Sequence, residues 1–186
     1  MILLVGLGNP TPDSNDNRHN VGFKIIDAIN QKFGLSKQKP KFKGLLTTGT
    51  ISNKKVYAIK PLTFMNNSGI CIRELMEYFK INIDDVIVFH DDLDVDFGKI
   101  KAKFGGSSAG HNGIESIDKF IGKEYSRVRV GIGKPDKKVS VSDYVLNNFN
   151  DEEKTQLDQI TINIIDSIPI LIDKKLDLFS STVNNK

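Results

Sequence analysis

The stretch Ile2-Leu3-Leu4-Val5-Gly6-Leu7-Gly8-Asn9-Pro10, with the helical pattern that follows it at 21–33, decides the fold. Its first residues form a short apolar run with no basic leader ahead of it, so it reads as an opening β-strand and not as a secretion signal. Gly6, Gly8 and Pro10 break the extended run. Val21, Ile25, Ala28, Ile29 and Phe33 then recur at i, i+4 and i+8, with a stop at Gly34. A strand that hands over to an amphipathic helix through a glycine-bearing loop belongs to an α/β architecture.

Working outward, the same alternation continues. Apolar or β-branched runs predict further strands at 45–51, 56–59, 86–89, 99–104 and 128–132, the first two of these joined as a hairpin around Ser52-Asn53-Lys54. Ile72, Leu75, Met76 and Phe79 predict a second helix behind the cap candidates Asn66, Asn67 and Ser68. Ile114, Ile117, Phe120 and Ile121 predict a third, closed by Gly122. Leu157, Ile160, Ile164, Ile165 and Ile168 predict a fourth, with Asp151, Glu152 and Glu153 at its dipole-favoured start. The lysine-rich run at 36–41 reads as a surface connection. The expectation is one three-layer α/β domain over residues 1–186, a mixed β-sheet flanked by helices, with the last ten residues or so a flexible tail.

Composition narrows the function. A chain of 186 residues can bury roughly 70% of its unfolded surface and needs no disulfide or metal staple. The single Cys71 excludes an internal disulfide framework and a zinc site built from several thiolates. No stretch approaches the ~18 apolar residues of a membrane span, and a reducing, cytoplasmic address is expected. The net charge is only +3, but it is segregated. Between Asp27 and Glu74 there is no acid, against eight lysines and Arg73. The acid-free stretch 97–114 carries Lys99, Lys101 and Lys103, and from Asp143 onward eight acids face four lysines. Such segregation suits a phosphate-rich partner.

Four places combine turn residues with reactive side chains at strand ends: 6–10 running on to Arg18-His19-Asn20, then 63–69, 90–94 and 105–113. Gly6-x-Gly8 lacks the third glycine of a dinucleotide loop, because Thr11 stands there. Asp92-x-Asp94-x-Asp96 fails as a calcium loop, with Gly98 one place late and Lys103 at the bidentate-acid position. Gly106-Ser107-Ser108-Ala109-Gly110 fits a nucleophile elbow. An elbow serine needs its acid and then its histidine later in the chain, and the last histidine, His111, is only three residues on. The three histidines show no i, i+4 metal-ligand spacing.

What survives is a histidine base paired with a carboxylate, activating water without a covalent nucleophile. Spacing does not settle which pair. His90 continues an apolar strand and reads equally well as a core histidine. His19, in a polar loop with no evident packing role, is the better base. Asn9, Asn66 and Asn112 each sit in a Gly- or Ser-bearing loop at an element boundary, either as caps or as carboxamides converging on a peptide backbone or an oxyanion.

These residues together resemble the bacterial-type peptidyl-tRNA hydrolase family. The resemblance runs through Leu4-Val5-Gly6-Leu7-Gly8-Asn9-Pro10, Arg18-His19-Asn20-Val21-Gly22, Phe64-Met65-Asn66-Asn67-Ser68-Gly69, His90-Asp91-Asp92-Leu93-Asp94, Gly110-His111-Asn112-Gly113 and Arg127-Val128-Arg129-Val130-Gly131-Ile132-Gly133. It implies a monomeric hydrolase that cleaves the ester between a nascent peptide and the 3′ end of tRNA, with no metal or organic cofactor. Carried onto matching positions, His19 activates water, Asp91 keeps it basic and oriented, and Asn9 contacts the substrate and helps reject unblocked aminoacyl-tRNA. Phe64, Met65, Asn66 and Asn112 line the peptide and acceptor-end site. Lys99, Lys101 and Lys103 alternate along a strand and so face one side, suited to tRNA phosphates or to guarding an exposed edge, with Lys103 and Arg129 the expected tRNA contacts. One stretch departs from the family pattern: Thr11, Ser14 and Asn17 replace its usual Gly, Tyr and Thr, so the acceptor end loses an aromatic platform at Ser14. The rival readings are a serine esterase using Ser108 and a non-catalytic tRNA-binding module.

Overall fold

In the computed structural model, which describes residues 1–186, the apolar runs become β1 (Ile2–Gly6), β3 (Gly44–Ile51), β4 (Lys54–Pro61), β5 (Val86–Asp92), β6 (Ile100–Phe104) and β7 (Ser126–Gly131). The predicted helices are α1 (Val21–Lys32), α2 (Ser68–Phe79), α3 (Asn112–Ile121) and α5 (Asp151–Ile172). Three elements were not foreseen: the exposed β2 (Lys39–Lys41), the single-turn-and-a-half α4 (Val141–Leu146) and α6 (Leu176–Asn184). The last corrects the expected flexible tail. Phe179 and Val183 are buried, and α6 packs along β6.

The sheet order is β2-β3-β4-β1-β5-β7-β6. β4, β1, β5 and β7 run parallel, while β2, β3 and β6 are antiparallel to their neighbours. The β3–β4 hairpin turns through Ser52 and Asn53, both at positive φ, as a tight primed turn requires. Helices cover both faces, so β1 is buried along its whole length, as expected for a central parallel strand. Its pleat divides the core. Ile2 and Leu4 pack with Ile25 and Ile29 of α1 and with Ile164 and Ile168 of α5. Leu3 and Val5 pack with Ile72 and Leu75 of α2 and with Ile114 and Ile117 of α3. Each such fully buried side chain contributes about 1.5–3 kcal/mol.

Two features of this framework place the functional residues. First, the chain leaves β1 through α1 on one face, and β4 leads through α2 on the other face to β5 on β1's opposite side. The loops beyond the carboxyl ends of β1, β4 and β5 therefore converge at the point where strand order reverses, which is where open α/β sheets form crevices. Second, α1 approaches those strand ends unusually closely. A Cβ on Gly22 would lie 2.4 Å from the Leu7 nitrogen and 2.5 Å from the Phe89 carbonyl oxygen, and one on Gly6 would lie 2.2 Å from the Gly22 oxygen. Only glycine permits that approach. It draws the residues just before α1 onto the tip of β5.

Candidate active site

The turn that enters α1 holds Asn17, Arg18, His19 and Asn20, all buried. The sequence shows a polar loop with no evident packing role, and the structure supplies it with internal partners. Arg18 donates through Nη1 to the Tyr144 and Asn147 carbonyls and through Nη2 to Glu153, stacking its guanidinium over the Tyr144 ring. It thereby ties the turn to α4 and α5. Asn20 bonds Asn9 in both directions: its Oδ1 accepts from the Asn9 N–H at 2.8 Å, and its Nδ2 donates to the Asn9 carbonyl at 2.9 Å.

Between these anchors, His19 faces Asp91 near the carboxyl end of β5. Its Nδ1 lies 2.9 Å from both carboxylate oxygens, while Nε2 has no protein partner. The chain separation of 72 residues explains why spacing could not name the pair. A second imidazole meets the same carboxylate: His111 Nε2 is 2.9 Å from Asp91 Oδ1, with its ring 4.8 Å from that of His19. Burial pushes the Asp91 carboxyl upward, but the charges and hydrogen bonds of His111 and His19 outweigh it and hold it well below the usual carboxylate range. Asp91 is an anion at neutral pH.

All three histidines of the chain surround this aspartate. His90 is fully enclosed, donates from Nδ1 to the Asp91 carbonyl at 2.8 Å and leaves Nε2 without a partner. Burial, followed by the neighbouring His111, pushes it down to about 4, so it is a neutral core residue. The unfolded chain then binds more protons than the folded one between about pH 6.5 and 4, and stability falls as pH falls through that window. The lost stability is on the order of 3 kcal/mol. A urea titration series should show this loss beginning above pH 5. In His90→Gln the slope between pH 6.5 and 4 should flatten, and an unchanged slope would assign the acid sensitivity elsewhere.

Of the residues expected to form the site, the structure gathers most around one cleft of about 610 Å³. Asn9, His19, Met65 and Asp91 form its inner wall; Phe64, Asn66 and Asn112, all exposed, form its mouth. Phe64 adopts a positive φ of 63°, a conformation that costs a non-glycine residue energy and that turns its ring outward at 54% exposure. Asn9 Oδ1 accepts from the Met65 N–H at 3.0 Å, which fixes the carboxamide with its NH2 free. A Cβ on Gly113 would lie 2.5 Å from Met65 Sδ, so α3 closes directly on this wall.

Other expected residues lie outside the cleft. Arg129 donates from Nε to Asp92 Oδ2 at 2.7 Å, and Lys103 is exposed on the edge strand β6. Ser14 is buried, with its hydroxyl 2.7 Å from that of Thr11, so it offers nothing to a substrate. Ser108 lines the cleft, but its hydroxyl bonds Glu115 and the Gly110 N–H and meets no imidazole. Asn67 and Ser68 do not cap α2 with side chains. Sequence reasoning missed the roles of Asn20 and His111, although both stand inside quoted motifs. A metal ion would find three ligand atoms, from His19, Asp91 and His111, within 4.8 Å of one another. It could enter only by displacing both imidazole–carboxylate hydrogen bonds.

The arrangement is thus a buried anionic carboxylate steering an imidazole whose outer nitrogen is unengaged, beside a fixed carboxamide donor, at the base of a half-apolar cleft. Comparison with known proteins points the same way. A family model described as peptidyl-tRNA hydrolase matches residues 3–186. A peptidyl-tRNA hydrolase of Pelagibacter ubique is 78% identical over 186 residues, covering all of both chains. One from Geobacillus kaustophilus is 47% identical over 168 residues, 90% of each chain. The crystal structure of peptidyl-tRNA hydrolase from Acinetobacter baumannii superposes with a TM-score of 0.92 at 32% identity, covering 99% of this chain and 94% of that one.

Proposed function

The chain belongs to the peptidyl-tRNA hydrolase family and hydrolyses peptidyl-tRNA, and from that premise we propose that it does so by direct attack of water, with His19 as the base. The observation that carries this reading is the Nδ1 contact of His19 with both oxygens of Asp91. An ionised carboxylate there accepts the Nδ1 proton and leaves the Nε2 lone pair toward the cleft. His19 Nε2 takes a proton from water as the oxygen attacks the ester carbonyl. The tetrahedral oxyanion collapses, the C–O bond to the terminal ribose breaks, and the leaving oxygen receives the proton from His19. An aminoacyl ester is already activated, so a general base worth ~10²–10⁴-fold and a positioned oxyanion donor suffice without an acyl-enzyme.

Asn9 supplies that donor and also selects the substrate. Its Oδ1 is held by Met65, so it presents only N–H groups. These suit the oxyanion and the carbonyl oxygens of a peptidyl chain, whereas the ammonium of a free aminoacyl ester would meet a donor and lose its hydration unpaired. The mouth residues Phe64, Asn66 and Asn112 are placed to hold the peptide and the acceptor end. The decisive assay compares release from N-acetyl-aminoacyl-tRNA with release from unblocked aminoacyl-tRNA. Release from the blocked ester alone, unaffected by EDTA or an organophosphonate, is expected. A covalent adduct on Ser108, or tRNA retention without release, would overturn the mechanism.

We assign the phosphates of the tRNA to the β6 edge. In the sheet register Lys101 lies opposite Arg129, and Arg129 lies beside His90. Lys101 is therefore two strand spacings, about 10 Å, from the tip of β5. Lys101 and Lys103 stay exposed, alternating with the buried Ile100 and Ala102. Lys103→Glu should raise KM and lower the slope of log KM against log salt by about one; an unaltered slope would remove the contact. No helix is long and apolar enough to cross a membrane. Burial pushes the lone Cys71 thiol up to about 12, which keeps it inert, and a single-domain cytoplasmic monomer is the setting proposed.

A further inference from the structure

We infer that His111 is a positioning residue for the hydrolysis: it caps α3 with one ring nitrogen and, with the other, locks Asp91 in the orientation that serves His19. The inference rests on His19 being the base. His111 Nδ1 accepts from the backbone N–H groups of Gly113 at 3.1 Å and Ile114 at 3.3 Å. A nitrogen that accepts two N–H groups carries no proton of its own, so the His111 proton sits on Nε2 and is donated to Asp91 Oδ1. The helix end thus chooses the tautomer. His111 faces the carboxylate as a donor.

An imidazole is not among the preferred N-caps, which are Ser, Thr, Asp and Asn. Capping alone would be met by any of those; what they lack is a second donor at the far side of the ring. That donor has two effects on Asp91. It fixes the rotation of a carboxylate that would otherwise be held by His19 alone, and it shares Oδ1 with His19, moderating how strongly the carboxylate draws a proton onto the base. The other groups facing the trio are the neutral His90, whose ring is 5.1 Å from that of His111, Asp92 paired with Arg129, the exposed Asp94 across the cleft, and Glu115 in the first turn of α3. None of them replaces the lost donor.

The test separates the cap from the clamp. His111→Asn keeps a cap acceptor but does not reach Asp91; His111→Ala loses both. Both variants should lower kcat by about tenfold with KM within about twofold. In both, the acid limb of the kcat/KM profile should move to higher pH by about one unit, because Asp91 then acts on His19 alone. Only His111→Ala should also lose several degrees in Tm. Long-range ¹H–¹⁵N spectra of the three histidines should show the Nε2–H tautomer for His111 and the Nδ1–H tautomer for His19. A parental kcat and pH profile in His111→Asn, or a proton on His111 Nδ1, would reduce His111 to a cap and overturn the inference. His19→Ala measured in parallel distinguishes the two levels: if it stays active the base assignment has failed, and if it is inactive while His111→Asn is parental only the clamp has failed.

Discussion

His19→Ala lowers kcat by about 10³-fold or more while tRNA affinity stays within a few-fold. The loss follows from the geometry: no other group in the cleft has an unengaged basic nitrogen facing the ester. His90 Nε2 is enclosed in the core, and His111 has both nitrogens bonded. General-base catalysis is worth ~10²–10⁴-fold, and its removal leaves the carboxamide donors and substrate binding to supply the remainder. The phosphate contacts proposed for the β6 edge do not involve His19, so filter binding of a non-hydrolysable peptidyl-tRNA analogue should be close to parental. Single-turnover peptide release is the measurement. Parental turnover would remove the base assignment, and a matching collapse in tRNA binding would show that the substitution had disturbed the turn between Arg18 and Asn20 and not the chemistry.

Asp91→Asn has an effect of similar size through a different cause. The carboxamide is nearly isosteric, but it brings an NH2 where two imidazole donors converge. With the amide oxygen at Oδ1, where both rings meet, the NH2 stands at Oδ2 against His19 Nδ1–H. His111 is held in its tautomer by α3, so His19 is the ring that yields. Its proton shifts to Nε2, the nitrogen that must be free. A loss of about 10³–10⁴ in kcat with KM little changed is expected, by the logic that governs serine-protease triads. Stability falls by about 1–3 kcal/mol at neutral pH, because a buried polar group is left poorly matched. The difference shrinks under acid. The depressed Asp91 carboxyl contributes stability that is present above the unfolded value near 3.9 and is lost as pH falls further, so parental and variant curves should converge in strong acid. Parental kcat in Asp91→Asn would detach the carboxylate from catalysis.

The legible parts of the fold are those written in apolar periodicity. β1, β4, β5 and the long helices announce themselves because both faces of the sheet must be covered. Lys39-Pro40-Lys41 contains no buried residue and forms β2 only because the edge of β3 accepts it, a tertiary cause invisible to local pattern. α4 is too short for periodicity to show, and α6 buries only Phe179 and Val183. In the site, Asn9 and His19 stood out by residue type and loop position. The pairing of His19 with Asp91 required the glycine contacts at Gly6 and Gly22 that bring α1 onto β5, and family resemblance supplied what spacing could not. The direction of the Asn9 carboxamide and the tautomer of His111 depend on single backbone N–H groups, at Met65, Gly113 and Ile114, donated from distant or successive turns. No reading of side-chain order contains them.

The manner in which α6 covers β6 has a bearing on how the chain emerges from synthesis. Asn184 bonds Ile100 in both directions and Ser180 accepts from the Ala102 N–H, so side chains stand in for the neighbouring strand that the sheet lacks. Asn184 lies 84 positions downstream of Ile100 and Ser180 lies 78 downstream of Ala102. While the ribosome is still translating those intervals, β6 presents an open ladder of backbone donors and acceptors to any extended segment nearby. Only the repulsion of Lys101 and Lys103 guards it then, which gives these two side chains a duty in biogenesis that precedes any encounter with tRNA.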